Sequence, residues 1–517
     1  MSTKVLTILE VSQKQAYIFA SNKLKNNIIS SANIAWILSP KYFEQKIGDA
    51  TIFSEKKNVV YAGGGHTVLT FETREQAILF TKKITMQIHK EYPRVALFVK
   101  TIDYDENMTP GDNLKELTKQ LEKKKSIRKS AFHQGSFGIE KIDATTLSPI
   151  LALGKSIAEE HMPDEEEQID KMLSSEDKGY KRVSKFSELG GSKNESNFIA
   201  VVHIDGNAMG KRVENLYQNN QNADWDTYKR KLKNFSESID KDFKSAYKDM
   251  VDVVTESLEN GKLEELNIKD KYFPVRRIIS AGDDICFVTE GRIGIECAVA
   301  FLKALNEKKN DEDGEGYAAC AGVAIVHQKY PFYRAYELAE LLCSNAKRFG
   351  ASLAEDGLGK TISAIDWHIE MGEMEDSLEK IREQYRTLDE KQLELRPYIV
   401  SAPESILKQE SIRQYAKFKT LEMNIQNNEI AYARGKIKEL RSALKQGEKE
   451  TRHFLQFNQI EDLMLDSYQG IFVDVDYKHT FEGDGLERKA FVKTNDGVER
   501  SLVFDAIEVL DTFVSLD

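Results

Sequence analysis

The chain has 517 residues, which is too long for one ordinary hydrophobic core, so we expect two or three globular units. Hydrophobic residues make up 41% and charged residues 30% of the sequence, and this balance excludes general disorder. The formal net charge of −11 excludes a global positive field that would attract nucleic acid. Any polyanion must therefore be bound by a local group of cations.

Cysteine usage and hydropathy indicate the compartment. The four cysteines form no CxxC pair, which argues against a zinc ribbon and a disulfide framework. We expect these four in the core: Cys286, Cys297, Cys320 and Cys343. The N-terminal residues do not resemble a signal peptide, and no run of about 18 apolar residues occurs. We therefore expect a soluble, unprocessed, cytoplasmic protein with no membrane partner.

The N-terminal elements predict one βαββαβ unit. A strand, VLTILEV, is followed by AYIFASNKLKNNIISSANIAWIL, in which apolar residues recur at helical spacing. Two β-rich runs in NVVYAGGGHTVLTF then meet at three glycines, as in a hairpin whose turn needs positive φ or close backbone approach. The helix REQAILFTKKITMQIHKEY and the strand VALFVKTID complete the order of a ferredoxin-like fold.

The same order of elements returns after residue 197. The strand NFIAVVHID leads into a helical insert over roughly 213–262, and the hairpin RRIISAGDDICFVT follows. The helix IGIECAVAFLKALNE, the strand YAACAGVAIVHQ and the helix AYELAELLCSNAKRF come next. The sequence therefore predicts an α+β protein with two ferredoxin-like units, most alike around their hairpins.

The remaining segments complete the predicted domain plan. The stretch between the two units is polar, with an acidic run and a Gly/Ser-rich run, and is interpreted as a linker with a small helical element. The C-terminal stretch is charged and has apolar residues at helical spacing, so we expect it to be mainly helical. The predicted boundaries are 1–125 for the first unit, 126–197 for the linker, 198–372 for the second unit and 373–517 for the C-terminal domain.

Three aspartates in the second unit are the candidate catalytic residues. Asp205 ends an apolar strand, and the pair Asp283 and Asp284 stands at the tip of the hairpin. In a ferredoxin-like sheet these elements are neighbours, so the three carboxylates can meet at one edge. Phosphoryl transfer needs such oxygen ligands, because Mg²⁺ or Mn²⁺ bridges the phosphate oxygens. Taken singly, each motif is also compatible with an ordinary turn.

Small and cationic residues around these motifs are candidates for nucleotide binding. Glycines let a triphosphate approach the backbone, whose amide hydrogens can bind its oxygens. Lysine acts as a compact point charge for phosphate, although the same residues could simply be surface lysines of a helix. The candidates beside the aspartates are Gly206, Asn207, Gly210, Lys211, Gly282 and Lys347, with Arg348 as a further cation.

The motifs VSQKQAYIFASNKLKNNIISSANIAW, YAGGGH, HIDGNAMGKRV, AGDDICF and AELLCSNAKRFG together resemble the large palm-domain subunit of type III CRISPR effector complexes. The resemblance covers roughly residues 3–105 and 197–370, and the motifs follow the family's order. That family has two ferredoxin-like palm domains, and its second palm converts ATP into cyclic oligoadenylate messengers for antiviral defence. The resemblance implies that Asp205, Asp283 and Asp284 are catalytic, and that they bind the two metal ions with the backbone of Ile204.

The resemblance also implies that the first unit is a degenerate palm. Gly65 and His66 stand where Asp283 and Asp284 stand in the second unit, so the first unit should bind the acceptor nucleotide without catalysing. The turn glycines Gly64 and Gly65 are candidates for this half-site. Two serines, Ser30 and Ser31, are expected at the start of a helix beside the turn, either as nucleotide ligands or as an ordinary helix cap.

The sequence departs from the family pattern in four ways. No His-Asp dipeptide occurs, so we expect no HD nuclease and no DNase activity, and the zinc-binding insert between the palms is missing. The hairpin has AGDD instead of GGDD. Asn207 occupies a position that is often acidic in the family, which leaves the second metal site in question.

The sequence thus favours a nucleotidyltransferase that joins ATP or other nucleoside triphosphates into cyclic oligonucleotides by two-metal phosphoryl transfer. Two alternatives stay open: a non-catalytic scaffold or RNA-binding subunit of a guide-RNA effector complex, and a cyclic-dinucleotide synthase related to GGDEF enzymes. The basic run LKELTKQLEKKKSIRK favours the scaffold slightly. The expected partners are nucleoside triphosphates, guide or target RNA and other CRISPR effector subunits, and a free-standing or oligomeric form is equally compatible.

Overall fold

The computed structural model of the chain describes residues 4–127, 139, 141–143, 161–191, 197–370, 377–427, 433–458 and 491–517. Parts of the predicted linker and of the predicted C-terminal domain lie outside these residues. Across the described ranges, no helix is both long and apolar enough to cross a membrane.

The first unit, residues 4–127, is built on a four-stranded antiparallel sheet with the order β2-β3-β1-β4. This is the strand order of a ferredoxin-like fold, as predicted. Its elements are β1 (Val5–Ser12), α1 (Lys14–Ile18), α2 (Leu24–Ile37), α3 (Pro40–Ile47), α4 (Glu55–Asn58), β2 (Val59–Gly63), β3 (His66–Phe71), α5 (Arg74–Glu91), β4 (Ala96–Asp103) and α6 (Pro110–Ile127).

Helix α5 illustrates how the sequence builds this unit. The Thr73 side chain caps the helix by accepting a hydrogen bond from the Gln76 amide at 3.2 Å. The buried side chains recur every three or four residues, at Ala77, Phe80, Ile84 and Ile88, and therefore form one apolar face. Each of the three large side chains contributes about 1.5–3 kcal/mol by leaving water, so the face holds α5 on the sheet.

One α-helix of the predicted linker is described, α7 (Asp164–Met172). Its Asp170 carboxylate is buried and accepts a hydrogen bond from Arg182 at 2.5 Å. The same carboxylate lies 2.6 Å from the guanidinium of Arg276 in the second unit. The linker helix is therefore attached to the second unit by buried ion pairs.

The second unit, residues 197–370, repeats the ferredoxin-like order as β6-β7-β5-β8. A ninth strand pairs parallel with the eighth and extends the sheet beyond four strands. The elements are β5 (Phe198–Gly206), α8 (Met209–Gln218), α9 (Trp225–Glu259), β6 (Val275–Ala281), β7 (Asp284–Glu290), α10 (Gly294–Asn306), β8 (Ala319–His327), α11 (Phe332–Leu353) and β9 (Ser363–Ile369).

The C-terminal region is mainly helical in its described part, and it also contributes to the second sheet. Its elements are α12 (Leu378–Glu383), β10 (Tyr398–Ser401), α13 (Glu404–Gln409), α14 (Tyr415–Asn427), α15 (Arg434–Gln446), α16 (Glu448–Asn458), β11 (Phe491–Lys493), β12 (Glu499–Ser501) and α17 (Phe504–Val509). Strand β10 pairs antiparallel with β9, and Tyr398 stacks on the buried Trp367 with ring centroids 5.4 Å apart. The second sheet therefore continues past the predicted boundary at 372. The predicted α+β class, with two ferredoxin-like units and a helical C-terminal region, is confirmed.

The two units face each other through their hairpins. Helix α2 of the first unit packs on β6 of the second, and α9 of the second packs on β2 of the first. The α1 side of the first unit also contacts α11: the Gln15 amide donates to Glu340 at 3.1 Å, and the Phe19 and Tyr336 rings lie 4.4 Å apart. This reciprocal packing places the two hairpin turns opposite one another.

All four cysteines are buried and free, in agreement with the expectation that they are core residues. Cys286 and Cys297 lie in the main hydrophobic core, and Cys320 and Cys343 form a small cluster beside Ala346 and Ala364.

Candidate active site

The register of the second sheet brings the predicted aspartates together. Asp205, near the end of β5, pairs directly with Asp284 at the start of β7. Asp283 lies in the turn between β6 and β7, and its carbonyl accepts a hydrogen bond from the Gly206 amide at 3.2 Å. A Cβ on Gly206 would lie 3.0 Å from the Cβ of Asp283, so a residue without a side chain is favoured there. Strand pairing therefore places three carboxylates at one edge of the sheet.

The electrostatics of these carboxylates reflect their crowding. Burial raises the pKa of Asp283 to about 6, and the nearby Asp205 carboxylate adds to the shift. Burial raises the pKa of Asp284 to about 7, again with a contribution from Asp205. The Asp284 side chain is 42% exposed overall, but its Oδ1 is shielded from solvent and has no hydrogen-bond partner. Like charges at this edge therefore repel one another.

Lys347 on α11 partly compensates this negative charge. Its ammonium donates to the Asp205 carboxylate at 2.6 Å and to the Gly206 carbonyl at 2.8 Å. Burial acts to lower the pKa of Lys347, but the attraction of Asp205 outweighs it and the pKa is raised. Lys347 therefore stays charged beside Asp205, at the place predicted for a phosphate-binding cation.

The three aspartates are the type of ligand that a divalent cation needs, although they do not stand in metal-binding geometry. Carboxylate oxygens are the hard ligands that Mg²⁺ and Mn²⁺ prefer, and a cation would relieve the repulsion that raises both pKa values. Ile204 is fully buried, with Ile285 and Ala321 as its neighbours on the adjacent strands. Among the described residues, no group of three or more His, Cys, Asp or Glu side chains stands in metal-binding geometry. Asp205 is engaged by Lys347 instead.

The turn of the second hairpin faces the turn of the first across a shared cavity. A Cβ on Gly282, whose φ is +68°, would lie 3.9 Å from the Gly64 amide nitrogen. The cavity has a volume of about 950 Å³, and both hairpins line it, including Asp283 and Asp284 from the second. This volume is in the range of sites that hold nucleotide-sized ligands. The two half-sites therefore open into one space.

The first unit repeats the backbone of this site with different side chains. Glu10 on β1 pairs with His66 on β3, in the same way as Asp205 pairs with Asp284. The two-residue turn before His66 consists of Gly64 and Gly65, both at positive φ. His66, Gly65 and Glu10 thus stand where the second unit has Asp284, Asp283 and Asp205. The matching of Gly65 and His66 agrees with the alignment of the two hairpin motifs, and the matching of Glu10 is new.

A lysine accompanies each strand-end acid. In the first unit, Lys125 on α6 binds the Glu10 carboxylate, and in the second unit, Lys347 on α11 binds Asp205. Both lysines lie on the helix that follows the fourth strand of their unit. The His66 ring bonds to the Tyr61 hydroxyl at 2.9 Å, and burial lowers its pKa. The first unit therefore keeps the acid and lysine pair but replaces both turn carboxylates.

The position predicted for the two serines is wrong. A place at the start of a helix was expected, but α2 begins at Leu24 and the serines lie in its middle. Ser30 is 1% exposed and belongs to the core, whereas Ser31 lines the shared cavity. The cause is that the apolar periodicity of α2 already starts at Leu24, so neither serine caps the helix. Ser31 therefore stays a candidate nucleotide ligand, whereas Ser30 is a packing residue of the core.

The other predicted nucleotide ligands differ in their surroundings. The Asn207 amide is buried and donates to the carbonyls of Gly359 and Ile362 at 3.0 and 2.8 Å, so it orders that loop. Lys211 pairs with Glu214 on the surface of α8 at 2.8 Å, and Gly210 faces open space. Arg348 is exposed on α11 and bonds to Asn345. A nucleotide role for these residues stays a prediction.

Several residues beside the site were not predicted from the sequence. His203 is buried, its Nδ1 lies 3.5 Å from Oδ1 of Asp284, and burial lowers its pKa. Its signal was its place two residues before Asp205, which puts it on the same strand face. Glu340, Lys14 and Glu10 carried no comparable signal, because the tertiary packing of α11, α1 and β1 brings them together.

Comparison with known families agrees with this geometry. Residues 198–352 match the family model described as Cas10/Cmr2, second palm domain. The second unit is a Cas10/Cmr2-type palm domain. The resemblance inferred from the sequence is thereby confirmed for a Cas10-type palm-domain protein. Among curated proteins, no sequence matches the chain.

Solved structures of Csm1–Csm4 cassettes resemble the whole chain. The apo cassette matches with a TM-score of 0.53 at 16% identity, and the cassette in complex with pppApApA with a TM-score of 0.53 at 15% identity. Each match covers 99% of this chain and 70% of the other. The Csm1–Csm4 subcomplex of the type III-A CRISPR-Csm interference complex gives a TM-score of 0.51 at 15% identity, covering 98% and 69%. At these identities the likeness concerns the fold.

Proposed function

We propose that this protein joins nucleoside triphosphates, ATP first among them, into cyclic oligonucleotide messengers in CRISPR-type antiviral defence. The observation that carries the proposal is the pairing of Asp205 with Asp284 beside Asp283, because Asp283 and Asp284 line a cavity that the second unit shares with the first. These carboxylates would hold divalent cations, which would supply positive charge to stabilise the reacting phosphate.

The proposed reaction is a nucleotidyl transfer across the cavity. The 3′-hydroxyl of a nucleotide in the first palm attacks the α-phosphorus of one in the second palm. The new P–O bond forms as the α–β bond breaks, pyrophosphate leaves, and the hydroxyl proton passes to solvent. Repetition and a final intramolecular attack close the ring. The residues act mainly by positioning the two nucleotides and by stabilising charge.

Lys347 has the place of a leaving-group cation in this scheme. Its ammonium lies 2.6 Å from the Asp205 carboxylate, and a nucleotide with its cations would compete for both partners. We propose that Lys347 then moves its charge to the triphosphate, as a lysine does in other phosphate sites.

The solved cassettes support the nucleotide class. Their crystals are described in complex with cA4, and with pppApApA, which are cyclic and linear adenine oligonucleotides. We extend to this protein, as part of the proposal, both that nucleotide chemistry and assembly with other CRISPR effector subunits. The preference for ATP as substrate belongs to the same proposal.

The test is product formation from labelled ATP with Mg²⁺ or Mn²⁺, with and without candidate RNA. Replacing Asp283 and Asp284 together with alanine should abolish the product. Asp252→Ala is a matched control, because Asp252 is an exposed carboxylate of α9 that pairs with Lys248. Equal product from the double variant and the wild type would refute the proposal, as would the absence of product under every activator.

The basic run of α6 gives less support to the scaffold alternative than its sequence implies. Lys124 donates to the Val99 carbonyl at 2.8 Å, and Lys125 binds Glu10. These two cations serve the first unit itself, so only part of the run is free to meet RNA. The cyclic-dinucleotide alternative is tested by the same assay, because the products differ in length.

A further inference from the structure

The start of α1 differs from its counterpart in one residue that carries charge. In both units the first strand is followed by a left-handed residue, Gln13 at φ 54° and Ala208 at φ 56°, and a helix begins immediately afterwards. The first helical residue is Lys14 in the first unit and Met209 in the second. The same backbone turn therefore presents an ammonium group in one half-site and an apolar side chain in the other.

Lys14 fills the space that a turn carboxylate would need. Its ammonium donates a hydrogen bond to the Gly64 carbonyl. A Cβ added to Gly65 would lie only 2.4 Å from the Lys14 Cε and Nζ. Gly65 is the position that matches Asp283. The first half-site therefore has a cation at the place where the second has the Asp283 carboxylate.

Lys14 lies at the wall of the cavity and has N–H donors left for a ligand. Lys14 lines the shared cavity, and an ammonium group has two further N–H donors beyond the one used by Gly64. The charged groups that act on it are Glu10, Asp284 and Lys125. Burial lowers the pKa of Lys14, whereas the two carboxylates act in the opposite direction. The site thus combines a partly desolvated cation with an open cavity.

We propose that Lys14 binds the polyphosphate of the nucleotide in the first half-site, where it supplies the positive charge that divalent cations would supply in the second. This inference rests on the proposed function, because it assumes that the cavity takes nucleoside triphosphates. Its distinctive consequence is that the first half-site binds a triphosphate without metal.

The competing explanation is that Lys14 only orders the glycine turn. In that case removing its charge would weaken all nucleotides alike and would lower thermal stability. If Lys14 binds the polyphosphate, in contrast, the loss of affinity depends on the number of phosphates in the nucleotide. Comparing ATP with AMP therefore separates the two roles.

The experiment is calorimetric titration of the full-length protein with ATP and with AMP in excess EDTA. We expect the wild type to bind ATP more tightly than AMP. Lys14→Met keeps the stem that packs on Gly65 and removes the charge, and it should weaken ATP about tenfold or more, the scale of a charged hydrogen bond. AMP affinity should change by about twofold or less, and Lys14→Arg should restore part of the preference. Lys25→Ala, an exposed lysine of α2, is the control and should behave as the wild type.

Two results would overturn the inference: no preference for ATP over AMP in the metal-free wild type, or an equal loss of both ligands in Lys14→Met. If Lys14→Met fails to fold, its thermal unfolding shows it, and Lys14→Gln is titrated instead. Failure of the proposed function is distinguishable, because it means no oligonucleotide product, whereas this test measures binding without catalysis.

Discussion

The two hairpin turns that face the cavity have the same backbone and opposite chemistry. The second carries Asp283 and Asp284, whereas the first carries Gly65 and the half-buried His66. Each strand-end acid keeps its lysine partner in both units. The two half-sites differ most in charge at the turn and at the residue that begins the next helix.

This difference gives the cavity one anionic wall and one wall with a built-in cation. The anionic wall carries carboxylates whose repulsion Lys347 compensates only in part. The other wall contains Lys14, which donates to the Gly64 carbonyl across the turn. Under the proposed function, catalysis and acceptor binding are separate tasks of two similar halves.

The largest effect on product formation is expected at the equivalent turn positions of the two hairpins. Asp284→Ala should lower product formation by about 1,000-fold or more, because removal of groups that stabilise transition-state charge costs this much. His66→Ala, at the equivalent position of the first palm, should cost about tenfold or less, since it touches binding alone. Initial rates with labelled ATP at saturating Mg²⁺ measure both.

Equal losses in these two variants would contradict the assignment of chemistry to the second palm. A circular dichroism spectrum of each variant separates loss of function from loss of fold.

A smaller effect is expected at the two lysines that bind the strand-end acids. Lys347→Met should lower the rate about 10- to 100-fold, because it removes one charge-assisted contact to the triphosphate. Lys125→Met should have less effect on the rate and raise the KM instead. The split between kcat and KM in steady-state assays measures this. A larger kcat loss in Lys125→Met would reverse the roles of the two palms.

Alanine substitutions at the two turn glycines allow the hairpins to be compared by the stability of the protein. Both Gly65 and Gly282 have positive φ, at 79° and 68°, so alanine is strained at either position by about 1 kcal/mol. At Gly65 the added methyl group also meets Lys14 at 2.4 Å, whereas at Gly282 the nearest atom is 3.9 Å away. Because the end of the Lys14 side chain is flexible and can shift, Gly65→Ala should destabilise only slightly more than Gly282→Ala, by about 0.5 kcal/mol. Urea unfolding of both variants tests it, and the reverse order would contradict it.

The fold was largely predictable because local patterns and global order agree. Alternating strands, helical periodicity and two turn signals are enough to indicate both ferredoxin-like units from the sequence. The strands β9 and β10 were not predicted. SAIDWHI and YIVS are short apolar runs in a region whose charged helices dominate the pattern, and only the edge of the second sheet gives them partners.

The site was predictable where it follows from backbone order. Asp205, Asp283 and Asp284 stand at strand ends, so the sheet places them together. Lys14 was not predicted, because a long side chain reaching under a neighbouring turn depends on tertiary packing. The pairing of Glu10 with Lys125 likewise depends on the rotation of α6, which its sequence leaves open.

The smallest expected effect concerns the stability of the metal-free second palm. Burial and Asp205 raise the pKa of Asp284 from 3.8 to about 7, so the folded state binds more protons than the unfolded state between these pH values. Stability contributed by this group therefore falls as pH rises through that window. Asp284→Asn removes the charge and should raise the thermal midpoint at pH 8 by about 2 °C, measured in EDTA, while the difference should vanish near pH 4.

Asp252→Asn, on the exposed face of α9, should show no such dependence, and Mg²⁺ should stabilise the wild type more than Asp284→Asn. A lower midpoint of Asp284→Asn at pH 8 would mean that the carboxylate stabilises the ligand-free fold, and the anionic wall would then be structural instead of a site held ready for cations.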